Sequence, residues 1–269
     1  MNIPTVALQH GHTVFLALER FLFKSQKIII ISRTLPVFTE TADKEFLLTN
    51  GIYTPDQLVV TGSPRYDIIY HAANIYSRDK FCKKYGVSVK SRIILWPTQT
   101  HGRTEEEKKT HLDIVFGACD LIPDITLIIK QHPGERKKDY QLITSYQKKH
   151  QCRSIIIPKD SDTFEAIFAS DLVITFHSTT GREAVAFQKP LVVLDPDDQA
   201  GYIRDGVGFG IFSIPQAVDS ISSLLEDDSI LAANRDKYIQ RNFYAIDGRS
   251  TERVVKVIEK VLSEKGKTI

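Results

Sequence analysis

Short apolar runs alternate with amphipathic segments along almost the whole chain. Most runs are unbroken series of Ile, Leu and Val, which are typical of strands covered on both faces. Strands are predicted at 5–9, 27–32, 58–61, 92–96, 125–130, 154–158, 172–176, 191–195 and 208–212. Helices are predicted at 105–121, 140–150, 163–169, 215–225 and 251–262. This alternation predicts parallel β/α units, and therefore an α/β fold with a doubly wound sheet.

A seam between two domains is predicted at 87–91, where a polar link separates a helix from a fresh strand. Residues 89–245 hold six predicted strands, enough for a complete Rossmann-like domain, whereas residues 1–88 hold only about three. Residues 246–269 are expected to form a helix that packs back toward the N-terminal domain. Since the first strand begins almost at once, we expect part of the N-terminal domain to be missing. The alternative is one compact chain whose first section extends the main sheet.

Composition excludes several classes of function. The net charge is +2 and the basic residues are scattered, which does not favour nucleic-acid binding. The three cysteines show no metal spacing and fit a reducing compartment, so a cytoplasmic location is predicted. No apolar stretch approaches the roughly 20 residues that cross a bilayer. Any membrane association is therefore expected to be peripheral.

One predicted strand runs directly into a helix through small hydroxyl residues, Ser178, Thr179 and Thr180, followed by Gly181. The first amides of a helix lack intrahelical partners, and the helix dipole adds partial positive charge there. The pattern predicts a phosphate-binding junction, at which Gly181 leaves room for a ligand and Glu183 reaches ribose or sugar hydroxyls. The alternative is an ordinary N-cap that Glu183 completes.

Two histidines follow predicted strands at the carboxyl edge of a sheet, where ligands of open α/β sheets bind. His10 lies in a Gln-His-Gly turn, and His132 precedes Pro133. An imidazole that titrates near neutrality suits proton transfer. The alternative for His10 is a ring satisfied by loop carbonyls. His12 pairs with His10 but no third ligand is evident, so no metal site is predicted.

Five segments, in order, resemble the CDP-glycerol glycerophosphotransferases and related surface-polysaccharide enzymes. They are Gln-His-Gly at 9–11, Gly-Ser-Pro-Arg-Tyr-Asp at 62–67, Ile-Leu-Trp-Pro-Thr at 94–98, Lys-Gln-His-Pro at 130–133 and Ser-Asp-Leu-Val-Ile-Thr at 170–175. The tail Asp-Gly-Arg-Ser-Thr-Glu-Arg at 247–253 is similar as well. The resemblance implies the GT-B fold, in which two Rossmann-like domains face each other across a cleft.

The phosphate-binding segment departs from that family. It reads Phe-His-Ser-Thr at 176–179, where the glycerophosphotransferases usually carry Asp-Tyr-Ser-Ser. Thr-Gly-Arg-Glu-Ala at 180–184, followed by Lys189-Pro190, is more similar to UDP-N-acetylglucosamine 2-epimerases. The epimerase histidine-arginine motif is replaced by residues 98–103. The nucleotide base and the transferred group are therefore left open.

The resemblance implies roles for individual residues. His10 corresponds to the base that takes the acceptor proton, and His132 would contact the donor diphosphate and stabilise charge on the departing nucleotide. Lys130 is either a supporting cation or a solvated strand-end lysine. Thr98 and His177 are further candidates for donor contacts, although His177 fits equally well a loop histidine bonded to backbone.

A second group of residues is expected near the cleft: Gly11, Arg65, Asp195 and Gln199. The acidic run that begins at Asp195 has the alternative of a solvated loop. Asp67 is interpreted as a turn residue that caps the next helix. No role is predicted for the remaining histidines, which are expected on surfaces: His71, His101, His111 and His150.

These patterns together predict a GT-B-type transferase without cofactor or metal. It would move a sugar or polyol phosphate from a nucleotide-diphosphate sugar or CDP-polyol to a glycan or teichoic-acid-like acceptor. A lipid-linked acceptor would bring the protein to the inner membrane face through its lysines, such as Lys137, Lys138, Lys148 and Lys149. The alternatives are a non-hydrolysing epimerase of UDP-N-acetylglucosamine and a truncated, inactive nucleotide-binding remnant.

Overall fold

A computed structural model describes residues 30–31, 58–99 and 103–266 of the chain. The predicted strand at 5–9 lies outside these residues. The chain divides into two compact units, one formed by residues 1–72 and 237–269 and the other by residues 73–236. Each unit has its own set of contacts and is described by itself.

The strands of the described residues are β1 Ile30–Ile31, β2 Leu58–Val59, β3 Arg92–Pro97, β4 Ile125–Lys130, β5 Ser154–Ile157, β6 Leu172–Thr175, β7 Leu191–Val193 and β8 Phe209–Gly210. The α-helices are α1 Asp67–Tyr70, α2 Ala72–Ile75, α3 Arg78–Tyr85, α4 Glu105–Leu121, α5 Lys137–Lys149, α6 Thr163–Ala169, α7 Thr179–Ala186, α8 Ile214–Glu226, α9 Ser229–Phe243 and α10 Ser250–Gly266. A 3-10 turn, Pro64–Tyr66, precedes α1.

The second unit is built on a six-stranded sheet with the order β5-β4-β3-β6-β7-β8. Every neighbouring pair is parallel. The central strands are buried because their Ile, Leu and Val side chains are covered on both faces: Ile93, Ile94 and Leu95 of β3 are 0% exposed. This architecture confirms the predicted α/β fold with a doubly wound sheet.

The strand order creates a switch point between β3 and β6. From β3 the chain adds β4 and β5 on one side, and it then crosses to β6, which pairs with the other side of β3. The segments that leave β3 and β6 therefore diverge at the carboxyl edge of the sheet. In open α/β sheets this is where ligands bind.

Local sequence explains where the helices of this unit begin. Thr104 and Glu107 form a reciprocal capping box at α4, with Thr104 Oγ1 accepting from the Glu107 amide at 3.2 Å. Asp162 caps α6 by accepting from the amides of Phe164 and Glu165 at 2.8 and 3.3 Å. Each cap satisfies amides that have no intrahelical partner.

Helix α3 belongs to the second unit, although the sequence placed it before the seam. The guanidinium of Arg78 donates to both carboxylate oxygens of Asp171, at 3.0 and 2.8 Å, and to the carbonyl of Ser91 at 2.8 Å. Asp171 also accepts from the amide of Ile93 at 2.6 Å. Asp171, part of the 170–175 motif, thus ties α3 to the beginnings of β3 and β6. The unit begins at Ala73 rather than at 87–91.

In the first unit, β1 pairs with β2 in parallel, and the motif at 62–67 meets the motif at 247–253. The carboxylate of Asp67 accepts from the amides of Ser250 and Thr251 at 2.9 and 2.8 Å and from the Thr251 hydroxyl at 2.7 Å. Arg253 Nε donates to the carbonyl of Thr61 at 2.7 Å. The expectation for Asp67 is corrected, because it caps the last helix, α10, and not the next helix in the chain.

None of the helices in the described ranges combines the length and the apolar character needed to span a bilayer. Helix α5 carries Lys137 and Lys138 in its first turn and Lys148 and Lys149 in its last. Thirteen residues of helix extend about 20 Å, so these two pairs occupy opposite ends and do not form one patch. Membrane contact through these lysines stays a prediction.

Candidate functional site

The junction between β6 and α7 has the geometry of a helix N-cap. Ser178 Oγ accepts from the Thr180 amide at 3.1 Å, and the Ser178 carbonyl accepts from the Gly181 amide at 3.0 Å. Within residues 58–99 and 103–266, the amides of Ser178 and Thr179 have no hydrogen-bond partner. Both residues are half-buried rather than covered. Ser178 therefore caps α7, without the capping box that would involve an acidic side chain, and the cap leaves two amides at the positive end of the helix.

Gly181 is explained by packing against the protein. A Cβ at this position would lie 2.8 Å from Cε2 and 3.0 Å from Cζ of Tyr202, and 3.0 Å from Cγ2 of Thr175. The Tyr202 hydroxyl donates to the Ser178 carbonyl at 2.7 Å. The space over Gly181 is thus filled by side chains, which differs from the expectation that it admits a ligand.

Helix α7 is buried beyond its first residue. Glu183, which was expected to reach ribose or sugar hydroxyls, lies in this buried part. Arg182 is 1% exposed and Glu183 is 2% exposed. The amide of Phe187 donates to the Glu183 carbonyl at 3.0 Å, within the regular helix end. This burial favours a structural role for Glu183 over a contact with sugar hydroxyls.

Thr98 follows β3 but directs its hydroxyl into the protein. The residue is 1% exposed, and Oγ1 lies 2.9 Å from Glu135 Oε2 and 3.3 Å from the Lys130 carbonyl. Glu135 also accepts from Gln131 Nε2 at 3.3 Å and is itself 4% exposed. Thr98 and Glu135 therefore join the segment after β3 to the turn after β4. Glu135 was not predicted; an acidic residue directly after a strand-end His-Pro-Gly turn was the signal available.

Lys130 is buried at 7% exposure, so it is not a solvated strand-end lysine. Its ammonium donates to the carbonyl of Lys159 at 2.7 Å. Burial lowers the pKa of Lys130, against the opposing charges of Asp160 and Asp162. The observed contact links β4 to the turn after β5.

His132 stands at the end of β4 in a tight turn. Its Nδ1 accepts from the amide of Gly134 at 3.0 Å, and its carbonyl accepts from the amide of Glu135 at 3.0 Å. The residue is half-buried. The structure therefore places the predicted His132 at the carboxyl edge of the sheet, on the β4 side of the switch point.

Arg103 is the main addition to the predicted site. Its guanidinium lies 3.5 Å from the ring centroid of Phe176, a distance at which cation and ring attract each other. Nη2 lies 3.2 Å from Nδ1 of His177, and Nη1 lies 3.6 Å from Glu107. The amide of His177 donates to Gln99 Oε1 at 3.1 Å. Residues from the segments after β3 and β6 thus meet next to the α7 N-terminus.

Asp195, which follows β7, is the last member of this group. It is 1% exposed, and its carboxylate accepts from the amides of Asp197 and Gln199 at 3.1 and 2.9 Å. Asp195 Oδ2 is 3.8 Å from His177 Nδ1. The solvated-loop alternative is therefore wrong for Asp195, whereas Gln199 is exposed.

Two histidines that were expected on surfaces are not exposed. His111 of α4 is half-buried, with its ring centroid 5.0 Å from that of Phe176. Burial lowers the pKa of His111 to about 4, helped by the charge of Arg103 and opposed by Glu107 and Asp195. His150 has a side chain that is 12% exposed and bonds to Asp120 through Nδ1 at 2.7 Å.

The remaining predicted residues belong to the first unit or lie outside the described residues. Arg65 is exposed in the first unit, and His71 is exposed as expected. His10, Gly11 and His101 lie outside the described residues. Within residues 58–99 and 103–266, no cluster of His, Cys, Asp or Glu has the geometry to hold a metal ion.

Comparison with known families gives one match over most of the chain. The model of the family described as CDP-Glycerol:Poly(glycerophosphate) glycerophosphotransferase matches residues 40–260. Comparison with curated protein sequences found no significant match.

Several solved structures are similar in fold. The wall teichoic acid polymerase TagF, soaked with CDPG, matches with a TM-score of 0.62 and 16% identity over 88% of this chain and 58% of that one. MnaA of S. aureus with UDP matches at 0.67 and 18% identity, over 96% and 74%. The UDP-GlcNAc 2-epimerase of Methanocaldococcus jannaschii, with UDP-GlcNAc and UDP, matches at 0.59 and 18%, over 86% and 62%.

These similarities confirm the GT-B-like fold class. Identities of 16% and 18% establish the shared fold and no more. The chain spans 58–59% of the length of the first TagF chains that it matches.

Proposed function

Because the chain belongs to the CDP-glycerol:poly(glycerophosphate) glycerophosphotransferase family, we propose that it takes part in transfer of a polyol phosphate or sugar from a nucleotide-activated donor. The acceptor would be a cell-surface glycan or a teichoic-acid-like polymer. The segment that carries family resemblance includes the whole switch-point region of the second unit. The donor would bind there through its diphosphate.

The observation that carries this proposal is the pair of amides at Ser178 and Thr179. They have no partner in the part of the chain that the structure describes, and they stand at the positive end of α7. Arg103 adds a permanent charge beside His177, the residue before Ser178. Backbone donors, a helix dipole and a guanidinium together favour an anion with several oxygens.

The chemistry for a CDP-polyol donor is a displacement at the β-phosphorus. The acceptor hydroxyl oxygen forms the new bond to phosphorus while the bond from phosphorus to the bridging oxygen breaks, and CMP departs with the electron pair. Donors at the α7 N-terminus and His132 would stabilise the charge that develops on CMP. The hydroxyl proton goes to a base, for which His10 remains the proposal from family resemblance.

The proposed roles divide by accessibility. Direct donor contacts are proposed for the accessible group, Arg103, His132, His177, Ser178 and Thr179. The buried residues are proposed to hold the accessible ones in place. They are Thr98, Lys130, Thr180, Gly181, Glu183 and Asp195. Thr180 belongs there because its amide and hydroxyl both bond to Ser178 Oγ, each at 3.1 Å.

Substituting Thr179 by proline tests the amide contribution directly. Proline removes only the N–H at the first helical position, where its ring fits without loss of a helix bond. Ser178 already has φ −71° and ψ 149°, which suits a residue before proline. Thr179→Pro is expected to weaken CDP-glycerol binding about 10- to 100-fold, since hydrogen bonds to charged groups are strong. Thr179→Val, which keeps the amide, is the matched control.

Activity is measured as CMP release and as acceptor elongation by mass spectrometry, with CDP-glycerol and an oligo(glycerophosphate) acceptor. Equal binding by Thr179→Pro and the unaltered chain would contradict the proposed site. Deuterium at the sugar C2 after incubation with UDP-N-acetylglucosamine in D₂O would favour an epimerase. Binding of donor without turnover by any route would favour an inactive nucleotide-binding protein.

A cytoplasmic location is part of the same proposal, with recruitment to the membrane by a lipid-linked acceptor rather than by a basic surface. Cosedimentation with anionic vesicles in the presence and absence of such an acceptor distinguishes recruitment by the acceptor from recruitment by a basic surface. Binding to acceptor-free vesicles would indicate a direct membrane contact.

A further inference from the structure

One carboxylate fastens the last turn of α4 to the segment that follows α5. Asp120 Oδ1 accepts from the amides of Gln151 and Cys152 at 2.9 and 2.8 Å, and Oδ2 lies 2.7 Å from His150 Nδ1. Burial raises the pKa of Asp120, but these hydrogen bonds together hold it below its ordinary value, so the group is ionised at neutral pH. Hydrogen bonds to an ionised acceptor are strong. The segment after α5 is therefore held against the end of α4.

The same contact brings two cysteines together. Cys119, which precedes Asp120, is 2% exposed, whereas Cys152 is half-buried and packs against the core cluster that contains Cys119. The hydrogen bond with the Cys152 thiol, together with burial, raises the pKa of Cys119 well above its ordinary value. Both are free thiols, as is the third cysteine, Cys82, which is buried in α3.

We propose that Cys119 and Cys152 are a reversible oxidation site, at which a low-molecular-weight disulfide such as glutathione disulfide converts the two thiols into an intramolecular disulfide. A disulfide requires neighbouring backbones, with sulfurs that can approach to about 2 Å. The side chain of Asp120 spans the gap between these two backbones, and the thiols already touch. Disulfides of intracellular proteins are usually transient, which suits a reversible site. This site is independent of the proposed function.

Accessibility determines the order of the two exchange steps. Cys152 is the thiol that a solute can reach, so its thiolate attacks one sulfur of glutathione disulfide, the sulfur–sulfur bond breaks and one glutathione leaves as thiolate. Cys119 then loses its proton to solvent and attacks the Cys152 sulfur, and the second glutathione leaves. The protein loses two protons and two electrons, and glutathione disulfide gains both to become two glutathiones. Because thiolate is the nucleophile, the high pKa of Cys119 makes ring closure the slower step.

The disulfide would close a covalent ring over residues 119–152, which contain β4 and α5. A crosslink of this kind stabilises a protein mainly by restricting its unfolded chain. Cys119 lies near the end of α4, about 20 Å along the helix axis from the first turn, which follows Arg103. Oxidation is therefore expected to raise stability and to leave binding at the α7 N-terminus unchanged.

The chemistry is tested on the full chain by prolonged incubation with glutathione disulfide at about pH 8 without denaturant. The protein is then quenched, alkylated in denaturant and analysed by mass spectrometry. The three alkylatable thiols should fall to one, Cys82, and tryptic peptides 110–130 and 150–153 should be found joined. Three remaining thiols, or a mixed disulfide at Cys152 that does not proceed to closure, would overturn the proposal.

Single serine variants test the order of the steps. Cys119→Ser should stop at a mixed disulfide of Cys152 with glutathione, and Cys152→Ser should leave the buried Cys119 unmodified. Cys82→Ser is the matched control and should close as the unaltered chain does. Modification of Cys119 in Cys152→Ser at the rate of the unaltered chain would contradict entry through Cys152. Circular dichroism of each variant shows whether the fold is retained, and the peptide map of the unaltered chain does not depend on any variant.

Asp120 is a positioning residue for this exchange, and two substitutions separate its acceptor role from its charge. Asp120→Ala removes the acceptor and should slow closure of the mixed disulfide about tenfold. Asp120→Asn keeps an oxygen for the two amides and removes a charge that raises the pKa of Cys119, so closure should be at least as fast as in the unaltered chain. Unchanged closure in Asp120→Ala, or equally slow closure in both variants, would contradict the positioning role.

Urea unfolding of the oxidised and reduced proteins measures the consequence. The oxidised form should have a midpoint about 1 M higher, and calorimetric titration with CDP should give both forms the same affinity. An unchanged or lower midpoint would contradict stabilisation by the disulfide, and different CDP affinities would contradict its separation from the candidate site. If neither form binds CDP while peptides 110–130 and 150–153 are joined, the proposed function fails and the oxidation site stands.

Discussion

His111 is a residue whose surroundings make protein stability depend on pH. Burial lowers its pKa to about 4, from an ordinary value of 6.5, and Arg103 acts in the same direction. Between those values the unfolded chain binds a proton that the folded chain does not. The free energy of unfolding should therefore fall as the pH decreases from about 6.5 toward 4. Above pH 6.5 neither state binds this proton, so His111 no longer lowers the free energy of unfolding.

His111→Phe should reduce this dependence, because phenylalanine preserves a ring against Phe176 and cannot be protonated. The measurement is urea unfolding of both proteins at several pH values between about 4.5 and 7.5. The same substitution at exposed His71 controls for the loss of one imidazole. A His111→Phe protein with the original slope would show that another group causes the dependence.

Among individual residues, the candidate site residues that sequence predicts are those whose position follows from the neighbouring sequence. Ser178 and Thr179 follow directly from a strand that enters a helix through hydroxyl residues, and His132 follows from a strand end. Arg103 and Glu135 were missed for a physical reason. Their positions depend on how the segments after β3 and β4 fold back over the sheet edge, which residue identity does not encode.

Elements were predicted best where one pattern dominates. Helix α4 and strand β4 have the predicted bounds, since a capping box begins α4 and an unbroken apolar run forms β4. Helix α9 was not predicted, because its buried face is not purely apolar. Arg235 is 4% exposed on that face and bonds to Asp228 and the Gln188 carbonyl, at 2.6 and 3.0 Å. A buried arginine interrupts the pattern that indicates an amphipathic helix.

The start of α7 depends on close packing at Gly181. Gly181→Ala would press a methyl group against the buried ring of Tyr202, at 2.8 Å before relaxation. Overpacking of this kind costs about 1–3 kcal/mol, which outweighs the gain of about 1 kcal/mol in helix propensity. Urea unfolding should therefore show a lower free energy of unfolding.

Gly117→Ala is the matched control, because its new Cβ meets one half-buried aliphatic side chain, Ile214, at 2.6 Å from Cδ1 and 3.1 Å from Cγ1, and the terminal methyl group can rotate away. That substitution should be close to neutral. If Gly181→Ala is as stable as Gly117→Ala, the ring of Tyr202 moves freely and the packing explanation is wrong.

The N-terminus of α10 depends on a carboxylate that is remote in sequence. Burial pushes the pKa of Asp67 upward, but the hydrogen bonds from Thr251 and Ser250 together shift it below its ordinary value. Asp67→Ala should lower the free energy of unfolding by about 1–2 kcal/mol, as for loss of an N-cap. Asp67→Asn keeps a side-chain oxygen acceptor and should lose less. Hydrogen exchange at the first amides of α10 measures the effect, and equal protection in all three proteins would contradict this capping role.

Because the depressed pKa belongs to a carboxylic acid, the stability from Asp67 is present above the ordinary value of 3.8 and is lost as the pH falls below it. The pH dependence of Asp67 therefore lies in a more acidic interval than that of His111. Comparing His111→Phe with Asp67→Asn across both intervals separates the two contributions.

At the scale of the whole molecule, the second unit has a core of its own. The buried cluster extends from Ile94 to Leu231 and contains side chains from four strands of the sheet and from the helices on it. A fragment of residues 73–243, which keeps α9 intact, is therefore expected to fold cooperatively, because it retains that cluster. Circular dichroism and urea unfolding, with coincident transitions by two probes, measure this.

The same fragment separates donor binding from transfer. It contains Arg103, His132, His177 and the α7 N-terminus, but it lacks most of the first unit, including His10. It should bind CDP within about threefold of the full chain and should release no CMP from CDP-glycerol, since the proposed base is absent. A Thr179→Pro version of the fragment controls for non-specific binding. A folded fragment that does not bind CDP would mean that donor binding requires the first unit, and CMP release by the fragment would exclude His10 as the base.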